Sequence, residues 1–410
     1  MIKEIGISKL EPGMLVVDTG LSWIDRPFVY STEGRIRSRE EIDRIAAEGY
    51  QTVFVKLGTE AAHGGLPTGP ASVIGKAGGR SRAELLLVPL HKEIETAREI
   101  HTQLLSVTRD FLKDARLGRP VDFEQAKPVV GALVDSVMRN ENALLTIKYL
   151  KSFDEYTFNH CINVAVVATV YGKYLGLPEN RLNELCQAGV FHDLGKALIP
   201  LEILNKPGRL TKEEFDVMRG HPQLGYDLLS SVQGPSEDTL RGVLEHHEKY
   251  DGSGYPSGLK GLEQGEFARI LAVSDVYDAL TSERVYKQGM LPSRAMRIIY
   301  GIREADFYPG MVEGFIRCLG IYPIGSLVRL STGENGVVIE TAPGTPLLPI
   351  VRILQDKDHR LVQPREVDLA ELADTLGEDA PRIESALNGL DGPLRIDRKG
   401  ICEHLLPGGA

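Results

Sequence analysis

Cysteine, tryptophan and long apolar runs are all scarce in this chain of 410 residues. The four cysteines, Cys161, Cys186, Cys318 and Cys402, lie far apart with no Cys-x-x-Cys pair, which excludes a disulfide framework and a thiolate zinc knuckle and fits a reducing compartment. The longest uncharged apolar stretch, Cys161 to Gly172, falls well short of the roughly 20 residues a membrane span needs, and the first residues carry acids rather than an apolar leader. No membrane span and a cytoplasmic location are the expectations. Positive charge is not in excess either: 47 Lys and Arg against 57 Asp and Glu leave a formal charge of −10. Without a basic field to gather duplex nucleic acid, any anionic ligand must be held by particular groups.

What is present is globular. Hydrophobic residues make up 42% and charged residues 25%, which excludes a disordered or collagen-like chain. The length exceeds the roughly 100–200 residues of one domain, so more than one folding unit is expected. Residues 1–57 alternate short apolar runs (MLVVD, FVY, TVFVK) with turns, predicting a small β-rich module with one helix near Ser38–Glu48. Residues 58–80 form a Gly/Pro-rich loop: seven glycines and two prolines lie between Gly58 and Gly79, too little apolar mass to order itself. Connecting helices follow over 81–137, the first a long one from Ser81 to about Arg116 with Pro89 near its start. Helix then follows helix over 138–322. Residues 323–410 return to β-like runs (SLVRL, GVVIE, PIVRIL), then a short acidic helix and a tail. The fold class expected is mainly α, an all-helical domain flanked by a small β-rich module and a C-terminal β segment.

Five of the ten histidines, His160, His192, His221, His246 and His247, fall within the helical segment. In HDLGK, His192 and Asp193 offer an imidazole and a bridging carboxylate side by side, with Lys196 one turn on. His221-Pro222 opens a helix, His246-His247 closes the next, and Asp275 shares a helical face with Asp278. His160 lies on an apolar helix with an acidic entry. Coordination arithmetic supports the set of five histidines plus Asp193 and Asp275. Two six-coordinate ions offer about twelve positions; seven residues with Asp193 bridging fill about eight, a bridging hydroxide two, and two stay open for substrate oxygens. Imidazole and carboxylate ligation without thiolate suits iron or manganese, so two divalent transition-metal ions are the expected cofactors.

The motifs HDLGK, HPQLG, HHEKYDGSGYP (His246 to Pro256) and SDVYDALTS together resemble the HD-GYP subfamily of HD-superfamily phosphohydrolases, bacterial enzymes that hydrolyse cyclic di-GMP. The similarity runs from Met138 to Gly320, and the first segment resembles the small domain of unknown function often placed ahead of HD-GYP domains. The resemblance implies an HD-type helical fold with metal at the same seven side chains, and ligand contacts at Lys196, Tyr255, Asp278, Arg284 and Lys287. In an acidic protein, Lys196, Arg284 and Lys287 are also the nearby counter-charges for two phosphodiester anions, and Arg284 carries the donor fork that reads a guanine edge. Gly252, Gly254 and Gly258 permit a shaped loop presenting Tyr255. Two positions depart from the family. Tyr156 stands where relatives with a third metal carry glutamate, which implies two metals, and Val285 stands where many have proline after the arginine.

The expected function is therefore a metal-dependent phosphodiesterase of bacterial second-messenger signalling, of the kind that governs biofilm formation. Asp193 and Lys196 would be its catalytic residues. Attack by a metal-bridging hydroxide would open cyclic di-GMP to linear pGpG, with a second cut giving GMP. The rivals are a receptor that binds cyclic di-GMP without turning it over, and an HD hydrolase of another cyclic dinucleotide or nucleotide. A homodimer or protein-partner contact is expected, if anywhere, through the flanking segments.

Overall fold

The computed structural model describes residues 2–17, 29–30, 34–47, 50–56, 88–120, 122–147, 156–206, 208–282, 289–341, 345–388 and 405. The chain opens on β1 (Ile2–Gly6), β2 (Leu15–Val16), β3 (Val29–Tyr30), β4 (Gly34–Arg35), α1 (Arg39–Ala47) and β5 (Thr52–Lys56). β5 pairs antiparallel with β1 and β2 and parallel with β3, while β2 also pairs β4. α1 starts where it does because Ser38 Oγ accepts the Glu41 N–H and the Glu41 carboxylate accepts the Arg37 N–H. Its Ile42 and Ile45, three apart, pack on Val16, Val53 and Val55 of the sheet.

Phe54 of β5 belongs to a different core: it is fully buried in the large cluster formed by the helices. The sheet is thereby fastened to the helical body, and Tyr50 adds a second tie beneath the Arg209 guanidinium at 3.7 Å.

α2 (Leu90–Arg116) starts directly after Pro89, which fits a first turn that needs no N–H donor; residues 81–87, expected within this helix, lie outside the described residues. Ile94, Ala97, Ile100, Leu104, Phe111 and Ala115 make one buried stripe against α3 (Lys127–Ile147). Across that seam the nearly buried Glu93 carboxylate takes both forks of Arg139, at 2.7 and 2.9 Å. α3 breaks at Asn140, whose side chain accepts the Asn142 N–H and donates to Val88 O.

The helical body continues with α4 (Tyr156–Tyr174), α5 (Glu179–Phe191), α6 (Leu201–Leu204), α7 (Lys212–Met218), α8 (His221–Ser230), α9 (Glu237–Glu245), α10 (Glu266–Thr281), α11 (Pro292–Asp306) and α12 (Met311–Leu319). α4 and α10 are apolar around nearly their whole circumference, which places them innermost, against one another. Both carry polar residues of the site, so those groups are buried by construction.

β6 (Leu327–Leu330), β7 (Asn335–Glu340), β8 (Ile350–Gln355), β9 (Leu361–Asp368), α13 (Leu369–Leu376) and β10 (Ile383–Ala386) complete the chain, the strands forming an antiparallel sheet in the order β10-β6-β7-β8-β9. β6, β7 and β8 are the three runs read from the sequence. β9 was not anticipated: it is an edge strand carrying Pro364, tolerated because an edge leaves one row of N–H groups unpaired. The expected loop over 58–80 lies outside the described residues. Among the described residues no helix is long and apolar enough to cross a membrane.

Candidate metal centre

Three helix ends and two helix interiors deliver the seven predicted side chains to one place. His192 and Asp193 follow the last residue of α5, His221 opens α8, His246 and His247 follow α9, and His160 and Asp275 lie on α4 and α10. The meeting of the first three depends on glycine. A Cβ at Gly195 would sit 1.9 Å from His221 O and 2.5 Å from Gly225 N, so only a residue without a side chain lets the 193–198 turn lie against α8.

The rings are oriented from behind. His192 Nδ1 donates to Gly189 O at 2.8 Å, His221 Nδ1 to Met218 O at 2.8 Å and His246 Nδ1 to Val243 O at 2.7 Å. A carbonyl can only accept, so each Nδ1 carries a hydrogen and each Nε2 is left to face the centre. His160 is held likewise, its Nδ1 2.8 Å from Asp278 Oδ2.

The forward-facing atoms fall into two groups, each within 4.8 Å: Asp193 with His221, His246 and His247, and His160 with His192 and Asp275. Asp193 spans both. Its Oδ1 lies 3.3 Å from His221 Nε2 and 3.9 Å from His246 Nε2, while its Oδ2 lies 3.4 Å from His192 Nε2 and 3.7 Å from His160 Nε2.

These donors fit metal ions on grounds internal to the structure. His192 Nε2, Asp193 Oδ1 and His247 Nε2 are buried polar atoms with no hydrogen-bond partner among the described residues. His221 Nε2 and His246 Nε2 face one another at 3.3 Å with their Nδ1 hydrogens committed to carbonyls. Lone pairs so placed call for a cation.

Electrostatics agrees with that demand at Asp193, Asp275, His246 and His247, while at His160 a proton holds the place of the cation. Burial alone would raise the Asp193 carboxyl, but the Lys196 ammonium at 2.7 Å and His192 hold it well below the usual carboxylate range. Asp275 is also lowered, its burial outweighed by the hydrogen bond with His160. Burial opposes a charge on His160 too, yet Asp275 and Asp278 push it up to about 10. Burial and crowding by neighbouring histidines drive His246 and His247 well below the ordinary imidazole value.

Lys196 stands beside Asp193, as its one-turn spacing predicts. Tyr255 lies over His247, ring centroids 4.7 Å apart, with the Arg219 guanidinium 4.9 Å from the tyrosine ring. Asp278, expected as a ligand contact, has its carboxylate engaged by His160 and by the Ser282 hydroxyl and is only 3% exposed. Arg284, Val285 and Lys287 lie outside the described residues, as does the side chain of Tyr156.

Sequence reasoning passed over Glu248. This side chain, 3% exposed, accepts the backbone N–H groups of Ser257, Gly258 and Leu259 and so folds the loop that carries Tyr255. Within that loop Gly252 and Gly258 take positive φ, and a Cβ at Gly254 would meet Lys249 N at 2.3 Å. A cavity of about 60 Å³ is lined by His246, His247, Asp275, Tyr255, Lys249 and Asp306 among others.

Three families match in succession: the domain of unknown function DUF3391 over residues 2–126, the HD domain over 139–307, and the KOW domain associated with HD domain over 327–376. A cyclic di-GMP phosphodiesterase of Pseudomonas aeruginosa is 34% identical over 373 residues, 90% of this chain and 88% of that protein. The cyclic di-GMP phosphodiesterase response regulator RpfG of Xanthomonas campestris is 43% identical over 152 residues, 37% of this chain and 40% of its own. Among solved structures, Bd1817, a HDG"Y"P protein from Bdellovibrio bacteriovorus, aligns with TM-score 0.45 and 16% identity over 77% of this chain and 98% of that one.

Proposed function

The chain belongs to the HD-domain family of cyclic di-GMP phosphodiesterases, and from that premise we propose that it hydrolyses cyclic di-GMP to linear pGpG using two divalent metal ions. One observation carries the two-ion reading. Seven donors, six of them buried and His247 partly so, divide into two groups that meet at the two oxygens of Asp193. Mixed imidazole and carboxylate donors favour iron or manganese.

Metal bound at these donors would supply Lewis acidity, activating water and neutralising phosphate charge. The protein's own groups do the rest. The carbonyls of Gly189, Met218 and Val243 and the carboxylate of Asp278 hold four imidazoles in the tautomer and orientation that metal requires. Lys196 places a positive charge at Asp193, where it stabilises the charge that develops on the phosphate. Glu248 sets the loop that stands Tyr255 as a wall over His247. Arg284 and Lys287 serve as further counter-charges for the second phosphodiester. The buried, unpaired thiols of Cys161, Cys186 and Cys318 agree with action in a reducing cytoplasm.

The test is chromatography of cyclic di-GMP after incubation with metal-loaded protein, together with elemental analysis of that protein. Product pGpG, two metal equivalents per chain and a dead Asp193→Ala variant are expected. Tight binding with unchanged nucleotide would make the protein a receptor instead, and full activity in Asp193→Ala would contradict the role given to that carboxylate.

A further inference from the structure

Arg219 is a cation at the edge of the metal centre that the hydrolytic steps leave idle. It stands two residues before His221, next to Met218, whose carbonyl holds that ring. Its guanidinium carbon lies 4.9 Å from the Tyr255 ring, which in turn lies 4.7 Å from the His247 ring. We propose that Arg219 binds the phosphodiester of the substrate that is not being cut, an inference that rests on the phosphodiesterase reading above.

The donors of this side chain are uncommitted. Among the described residues the guanidinium makes no hydrogen bond: the Asp216 carboxylate is 4.0 Å away, too far for one, and the two side chains are 39% and 56% exposed. Other cations are spent. Arg139 and Arg241 give both forks to Glu93 and Glu245, and Lys196 donates to Asp193. Arg219 is instead placed by rings, with Phe215 at 6.0 Å beside Tyr255, and those two rings meet edge to face at 6.4 Å. Phe215 is itself buried with Ile199, Leu210 and Met218, so the seat is firm. Contact with a ring uses the face of the planar guanidinium and leaves its in-plane N–H fork for an anion.

Size puts a second anion here. A cavity of about 60 Å³ cannot enclose a cyclic dinucleotide, since pockets that enclose such ligands run to about 300–1,000 Å³. Most of the substrate must lie beyond it. Tyr255 lines the cavity and Arg219 adjoins Tyr255. In a cyclic dinucleotide one ribose on each side joins the two phosphates, so when one sits at the metal donors the other is a sugar's length away. The guanidinium is no farther from the His247 ring than the two ring distances laid end to end, which is a reach of that order. Two non-bridging oxygens on one phosphorus are the bidentate partner that a guanidinium fork fits. With a formal charge of −10 on the chain, such an anion needs a particular cation to meet it.

Cyclic di-GMP and linear GpG carry the same two bases, but GpG has a single phosphodiester, so the pair isolates the second anion. The experiment measures kcat and KM for cyclic di-GMP, and the inhibition constant of GpG against it, in the metal-loaded full chain and its Arg219→Gln and Arg219→Lys variants. Because the site is half open to water, Arg219→Gln should raise KM for cyclic di-GMP by about 5- to 30-fold, with kcat within about threefold of the parent. The GpG constant should not move. Arg219→Lys, which keeps the charge without the fork, should fall between the two. Added salt should weaken the parent's KM more than that of Arg219→Gln. An unchanged KM in Arg219→Gln would overturn the assignment. So would a parallel loss on cyclic di-GMP and GpG, the result expected if Arg219 only braces Tyr255. If the parent leaves cyclic di-GMP uncut, equilibrium dialysis reads the same contrast: weaker cyclic di-GMP with unchanged GpG keeps the subsite while the hydrolytic reading fails, and equal changes overturn the subsite.

Discussion

Glu248→Gln keeps the shape of a buried side chain and removes its charge, so it isolates what holds the loop over the site. The carboxylate accepts the Ser257 N–H at 2.6 Å and the Gly258 N–H at 3.0 Å on Oε1, and the Leu259 N–H at 3.0 Å on Oε2. Glutamine has one acceptor oxygen. Left on Ser257 and Gly258, it turns its amino group against the Leu259 N–H and orphans that donor. Two bonds to a charged group weaken to neutral ones, about 1 kcal/mol each, and an unsatisfied buried N–H costs about 1–3 kcal/mol more. No longer burying a charge offsets part of this, leaving a net loss of about 2–3 kcal/mol. The loss is local, so native-state hydrogen exchange is the assay: the amides of Ser257, Gly258 and Leu259 should exchange about 30- to 150-fold faster. Loosening Tyr255 should also lower kcat/KM by about 10- to 100-fold. Exchange within about threefold of the parent protein would refute the reasoning, because a bond network of this kind cannot vanish for under about 0.7 kcal/mol.

Two further outcomes follow from the geometry. Gly195→Ala places a methyl 1.9 Å from His221 O, against backbone that cannot yield cheaply; Asp193 and His221 must separate, and elemental analysis should find metal content cut by half or more. Parent-level metal content would mean the 193–198 turn can move without cost. The second concerns pH. In metal-free protein His160 has its pKa raised to about 10, so its imidazolium favours the metal-free fold fully below the ordinary value of about 6.5, and that contribution is lost as pH rises through about 10. Metal needs the neutral ring, so affinity at the His160, His192 and Asp275 group should rise about tenfold per pH unit across neutrality and flatten above about 10. Titrations in buffers of different ionisation enthalpy should detect one proton released from this group near pH 8; none released would refute it.

The candidate site was legible because metal donors admit few residue types. His192, Asp193, His221, His246, His247, His160 and Asp275 could be picked from the chain, and the structure brings all seven together. What orients them was not legible. The acceptors behind His192, His221 and His246 are backbone carbonyls, which every residue possesses, so no letter marks them. Glu248 reads as an ordinary surface acid until three amides converge on it. Asp306 is silent for a similar reason: its partner Lys249 lies 57 residues away and meets it only after α11 has folded back. Periodicity gave α1 and the end of α2 because each buries one face, and the short apolar runs of β6 to β8 were legible because both faces of these strands are buried. It missed β9, whose mostly exposed residues alternate too weakly to announce a strand.

Phe54 makes the first strands of the chain part of the helical core. Its ring is embedded among the helices, and β1, next to β5, rests on α11. That helix terminates in Asp306. The leading sheet therefore packs on the helix whose last residue lines the cavity, and a chain shortened past residue 57 would leave a hole in the helical core where Phe54 sits and uncover that face of α11.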